Sequence, residues 1–261
     1  MDLLEIKNLT KYYKPSVPAL RDVCITAGKG EFISVIGPSG AGKSTLLRCI
    51  NRMIEPSSGS VNFDGIDVLK AGKHELRRVR TQIGMIFQHY NLVDRLTVIE
   101  NVLHGRLGHK SFLPGVLGIY VDHEKKQAVQ IIEILGLKEQ IYQRCDCLSG
   151  GQKQRVGIGR ALVQNPKLIL CDEPISSLDP LAATTIMEYL KNICQQMQIT
   201  VIVNLHQVSY ALKYSDRIIG IKQGEVVFDG SPQALVLEKI KCIYDSEAGD
   251  FDITWGEKYA G

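Results

Sequence analysis

The chain predicts an α/β fold with a mainly parallel core sheet, and three observations carry that prediction. Short apolar runs such as ISVIG, LILC and TVIVNL recur, and each has the length and bounding residues of a buried strand. They alternate with stretches of helical spacing, which places crossover helices between parallel strands. A glycine-rich junction, GPSGAGKS, then joins one such run directly to a helix-like segment.

Taken in order, LLEIKNLTKYY reads as a partly alternating strand and EFISVIG as a short apolar one ending on Gly37. Leu46, Leu47 and Ile50 then lie on one face of a helix. GSVNFDGIDV reads as a hairpin about Asp64-Gly65, a pair suited to the positive φ of a two-residue turn. Together these runs predict an N-terminal antiparallel β part. RTQIGMIFQ is a further strand. From about 97 to 143 the pattern is helical, broken at KSFLPGVLG, and the inserted helical subdomain is taken to run on to about 165. KLILCDE strand, LAATTIMEYLKNICQQ helix, TVIVNLH strand, VSYALKYS helix and the hairpin RIIGIKQGEVVFDG complete a domain spanning 1–231. Residues 232–261 are expected to form a C-terminal helix, QALVLEKIKCIY, and an acidic tail.

Length and composition narrow the function classes. At 261 residues, 44% hydrophobic and 23% charged, the chain is long enough for a large core. A formal charge of +3 does not supply an extensive phosphate-backbone footprint, so no nucleic-acid partner is expected. MDLLEIKNLTKYYK lacks the apolar segment of a secretory leader. No run approaches the roughly 18 to 20 apolar residues of a membrane span. Seven scattered cysteines form no disulfide framework and suit a reducing, cytosolic setting. Cys145 and Cys147 have no second ligand pair at zinc spacing, and Cys171 reads as a small core residue.

The junction Gly37, Pro38, Ser39, Gly40, Ala41, Gly42, Lys43, Ser44 satisfies G-x-x-x-x-G-K-[ST] in the required context, after a strand and before a helix. Its backbone N–H groups and the positive end of the helix suit phosphate oxygens. Lys43 is placed for the β- and γ-phosphates, Ser44 for Mg²⁺ and Thr45 for an α-phosphate oxygen. In LILCDE, neighbouring side chains at a strand end point oppositely. Asp172 is therefore read toward the Mg²⁺ shell and Glu173 toward a water attacking the γ-phosphorus.

The ordered set GPSGAGKST, GMIFQ, LSGGQ, LILCDEP, SSLD and VIVNLH resembles the ATP-binding cassette family, the ATPase subunits of ABC transporters, over almost the whole chain to about Ser231. The resemblance implies ATP and Mg²⁺ as ligands. Gln88 is similar to the glutamine that touches Mg²⁺ and the attacking water beside the membrane partner. His206 is similar to the histidine that contacts the γ-phosphate. Asp179 is similar to the aspartate that couples the two ATP sites of a dimer, and it also suits a helix N-cap before Pro180. Tyr13 is similar to the aromatic that stacks on adenine; Tyr12 stands next to it on the other face, and either can instead cover the sheet. In LSGGQ, the resemblance gives Ser149, Gly150, Gly151 and Gln152 the γ-phosphate of ATP held by the opposite subunit. Gly157 and Gly159 depart from the alanines more usual there, so the helix is either softer or very closely packed.

The resemblance further implies a homodimer docked under separate integral membrane permeases at the cytoplasmic face of the membrane, with a solute-binding protein as an indirect partner. FQHYNLVDRLTVIENVLHGRLG together with NLHQV looks like the cassettes of phosphonate importers. Import of another small solute, such as an amino acid or a polyamine, and a soluble non-transport ATPase are the alternatives.

Overall fold

The computed structural model of the chain describes residues 2–14 and 17–244. Strands β1 (Leu4–Lys14) and β2 (Val17–Ala27) pair antiparallel, and β3 (Phe32–Ile36) leads into helix α1 (Lys43–Ile50). The hairpin β4 (Ser58–Phe63) and β5 (Ile66–Asp67) then adds to β1, giving a four-stranded sheet ordered β2-β1-β4-β5. Asp64 and Gly65 both have positive φ, +49° and +83°, as the sequence pair predicts for this turn.

Strand β2 is an addition to the elements read from the sequence. VPALRDVCITA does not alternate cleanly, because the β1–β2 ladder shifts register repeatedly and Asp22 takes φ +44°. Such bulges break a period-two pattern while leaving Leu20, Val23, Ile25 and Ala27 buried. Helix α2 (Lys73–Thr81) is a second addition. Its sequence KHELRRVRT buries only Val79 and Thr81, so the apolar stripe that announces a helix is almost absent.

Beyond β6 (Ile83–Ile86) come α3 (Val98–Leu103), a 3₁₀ segment (His104–His109), the short α4 (Phe112–Val116), α5 (Asp122–Ile134) and α6 (Gly150–Leu162). This is the inserted helical region, and the break at KSFLPGVLG contains α4. Alternation resumes with β7 (Leu168–Asp172), α7 (Pro180–Met197), β8 (Thr200–Leu205), α8 (Val208–Tyr214), β9 (Arg217–Lys222), β10 (Glu225–Gly230) and α9 (Leu237–Tyr244). The tail beyond Tyr244 lies outside the described residues.

The central sheet has the order β10-β9-β3-β8-β7-β6 and is parallel except for β10 at its edge. Both faces are covered. Phe32 and Ile36 of β3 join the core shared with α3, α5, α6 and α7, while Ile33 and Val35 join the core shared with α1 and the antiparallel sheet. Burial on both faces explains why β3, β7 and β8 read as near-continuous apolar runs. Register brings their carboxyl ends level: Ile36 pairs with Leu205, Asn204 with Asp172, and Cys171 with Ile86. Gly37, His206, Glu173 and Gln88 consequently emerge along one edge, where parallel α/β sheets bind their ligands.

Candidate active site

The cradle depends on glycine at two points. Gly37 has φ +150° and Gly42 φ +109°, and a Cβ added there would lie 2.1 Å from the Ile221 carbonyl oxygen or 2.3 Å from that of Ala19. No other residue fits either position. The loop closes on itself through Ala41 N–H to the Pro38 carbonyl, 3.2 Å, and is tied to the β9–β10 turn by Gly224 N–H to the Ala41 carbonyl, 2.9 Å. Lys43, 4% exposed, stretches back across the loop and donates to the carbonyls of Gly37 at 2.7 Å and Pro38 at 3.1 Å. Burial draws its ammonium below the usual lysine value, against the opposing pull of Glu173 and Asp172. Ser39 and Gly40 occupy the outer bend, and an added Cβ at Gly40 would meet nothing.

At the end of β7 the two carboxylates take different partners, but Glu173 lies past the strand, and its left-handed backbone rather than strand alternation turns it away. Asp172 accepts from Ser44 Oγ at 2.7 Å, from Asn204 Nδ2 at 3.0 Å and from Arg48 Nη2 at 3.2 Å. Glu173 turns away with φ +52° and lies 2.7 Å from His206 Nε2 through Oε1. Left-handed backbone at a non-glycine residue is costly.

A hard cation fits this donor set. Ser44 and Asp172 offer adjoining oxygens, and the buried Asn204 Oδ1 has no hydrogen-bond partner among the described residues, leaving an acceptor for a cation-bound water. No group of three or more His, Cys, Asp or Glu able to hold a metal by itself occurs among the described residues. One carboxylate beside a hydroxyl is a donor set of the kind that suits Mg²⁺ in company with phosphate. Gln88 stands in the turn just after β6 at the same edge. Tyr13, 60% exposed, brings its hydroxyl to 3.4 Å from Thr45 Oγ1, whereas the Tyr12 backbone bonds Ser57. Of the two tyrosines, Tyr13 is the one beside the cradle.

The LSGGQ half is built differently. Ser149 caps α6: its Oγ accepts from Gln152 N–H at 3.3 Å, and Gln152 Oε1 accepts from Ser149 N–H at 2.9 Å. Asp179 caps α7 through Leu181 and Ala182 N–H, at 3.1 and 2.9 Å, so the N-cap reading of this residue is realised. Ser149, Gly150, Gly151, Gln152 and Asp179 line one open cavity of about 380 Å³. The two glycines farther along α6 differ. A Cβ on Gly159 would press on Val102 at 3.0 Å and Leu135 at 3.2 Å, so this residue is closely packed, while a Cβ on Gly157 would meet only the Tyr90 carbonyl oxygen at 4.0 Å beyond its own helix.

Arg160 and Asn204 were not singled out from the sequence. Arg160 of α6 donates to the carbonyls of Tyr90 and Asn91, clamping the loop after Gln88 to the LSGGQ helix. The readable signals were a cation within an apolar helix face and an amide inside the apolar strand TVIVNL.

With this geometry established, the pattern of the family described as "ABC transporter" matches residues 20–176. The chain belongs to the ABC transporter ATP-binding family. A relative named "Phosphonates import ATP-binding protein PhnC 2" from Oceanobacillus iheyensis is 59% identical over 94% of this chain and 96% of that protein. A "Phosphonates import ATP-binding protein PhnC" from Lactiplantibacillus plantarum is 52% identical over 88% and 90%. Among solved structures, a post-hydrolysis dimer of an ATP-binding cassette bound to ADP and Pi is similar at TM-score 0.76 and 36% identity, covering 88% of this chain and 98% of that one. The resemblance to ABC cassettes inferred from the ordered motifs is thus confirmed.

Proposed function

We propose that the chain is the ATP-hydrolysing subunit of an ABC importer that takes up phosphonates through a separate membrane permease. The observation that carries the chemistry is the split at β7, where Asp172 is bound to Ser44 and Glu173 to His206 beside one phosphate cradle. Substrate class follows the relatives named for phosphonate import.

Backbone N–H groups of the cradle and Lys43 bind the phosphates, and Tyr13 flanks the adenine beside Thr45. Ser44, Asp172 and Gln88 would hold Mg²⁺, which would offset charge on the phosphate oxygens. Glu173 accepts the proton of the attacking water as the water oxygen bonds to the γ-phosphorus and the bond to ADP breaks. His206 Nε2 keeps that carboxylate oriented. The remaining γ-phosphate contacts come from Ser149, Gly150, Gly151 and Gln152 of a second copy, so a homodimer completes two sites, with Asp179 between them. No proton donor is needed in LSGGQ, because phosphoryl transfer to water rests on positioning and charge stabilisation.

A docking surface for the permease is supported beside the loop after Gln88. A cleft of about 600 Å³ runs between α2 and the helical insertion, lined by Arg77, Arg80, Phe87, His104 and Arg160. Next to it Phe112, Leu113, Val116 and Leu117 are exposed, an apolar strip of the kind that marks an interaction site. No helix among the described residues is long and apolar enough to cross a membrane. The subunit works at the cytoplasmic face, and the solute-binding protein acts through the permease. Vesicles carrying the permease and this chain should accumulate radiolabelled phosphonate when ATP is supplied. ATP-driven uptake of an amino acid or polyamine instead would overturn the substrate assignment.

A further inference from the structure

We infer that Tyr244 is a positioning residue for ATP hydrolysis, tying helix α9 to both the cradle and the His206 loop through one hydroxyl. The Gly37 N–H donates to that hydroxyl at 3.2 Å, and the hydroxyl donates to the His206 carbonyl oxygen at 3.4 Å. A phenol can accept and donate at once, so the two bonds coexist. Burial pushes the phenol up to about 12, which keeps the donating proton in place across the neutral range.

The C-terminal end of α9 is anchored where this contact requires it. Ile243, 1% exposed, lies on Gly220, where an added Cβ would be 2.6 Å from its Cδ1. Gly220 pairs with Ile36, the residue immediately before Gly37. Lys222 Nζ donates to the Cys242 carbonyl at 2.7 Å. Three consecutive residues of α9 thus meet the sheet beside the root of the cradle.

Gly37 is held on both sides as a result. Its N–H goes to Tyr244 and its carbonyl receives Lys43, so the N–H groups that face phosphate are those farther along the loop. His206 is held at the backbone by Tyr244 and at the imidazole by Glu173. The Tyr244 hydroxyl is therefore a fixed link between the loop that binds phosphate and the pair that activates water. Removing it leaves Lys43 and the remaining N–H groups to bind ATP, while the Glu173–His206 pair loses its register with them.

The inference rests on the ATPase reading and is tested in the full chain with Tyr244→Phe, which keeps the ring and deletes both bonds. Steady-state hydrolysis of Mg-ATP should show kcat lowered about fivefold with KM within about twofold, the pattern of a lost transition-state interaction. Amide hydrogen exchange at Gly37 should quicken about tenfold as that N–H loses its acceptor. Thermal unfolding should stay near that of the parent. Parental exchange at Gly37 overturns the inference whatever the activity; so does a parental kcat, or a fall in kcat matched by an equal rise in KM. A parent chain that hydrolyses no ATP refutes the ATPase reading instead, and the exchange experiment still decides the link.

Discussion

The proposed function gives phosphate to both the cradle and the LSGGQ segment, and the fold holds the two by different means. The cradle is rooted in strands buried on both faces, and its key side chains are cross-tied: Lys43 to two loop carbonyls, and Asp172 to Ser44, Arg48 and Asn204. LSGGQ stands at the exposed start of α6, held by a local capping box above an open cavity. One half is cross-tied by side-chain hydrogen bonds between distant elements, and the other by a capping box at the start of a helix whose body is packed in the core. In the proposed dimer the LSGGQ half would arrive on a second copy of the chain.

The largest expected effect tests the cradle half. Glu173→Gln should lower kcat for ATP hydrolysis at least about 100-fold while ATP still binds, because the proton acceptor is lost and the cradle is untouched. A near-parental kcat in a phosphate-release assay would remove Glu173 from the role of base.

Next come the α6 glycines, which sharpen the contrast within the LSGGQ half. Gly159→Leu should destabilise the fold by about 1–3 kcal/mol, since the side chain must enter space held by Val102 and Leu135. Gly157→Ala, with ordinary room around it, should stabilise by roughly 0.5–1 kcal/mol. Denaturant titration of both variants reads the signs directly. Ser149→Ala should cost about 1 kcal/mol through the lost cap. ATP affinity measured on the isolated subunit should remain parental in that variant, because the cradle shares no hydrogen bond with the cap.

The smallest effect concerns the clamp between α6 and the loop after Gln88. Burial and the nearby Arg160 charge hold the His104 imidazole below its ordinary value, against a smaller opposing effect of Glu100. Between that lowered value and about 6.5 the native state binds fewer protons than the unfolded chain, so this residue's contribution to stability declines as pH falls below about 6.5. Melting curves from pH 7.5 to 5 should show a shallower decline for His104→Gln than for the parent.

The central sheet was legible because strands buried on both faces leave plain apolar runs, and the cradle because Gly37, Gly42, Lys43 and Ser44 must stand at fixed spacing. Strand β2 was hidden by bulges that break alternation, and α2 by a sequence with almost no apolar face. The resemblance pointed to Tyr13 with Tyr12 beside it, and the structure brings the Tyr13 hydroxyl, not that of Tyr12, to Thr45. Arg160 and Tyr244 act through contacts 70 and 207 residues away in the chain, where local pattern carries no information.

The most direct test of the divided site mixes two damaged subunits, Lys43→Ala and Ser149→Arg, each in the Glu173→Gln background, and measures ATP trapped per dimer. A mixed dimer pairs the sound cradle of one chain with the sound LSGGQ of the other, so it should hold about one ATP while neither variant alone traps any. If the mixture traps no more than the separate variants, the two halves do not act across a dimer and the account is wrong.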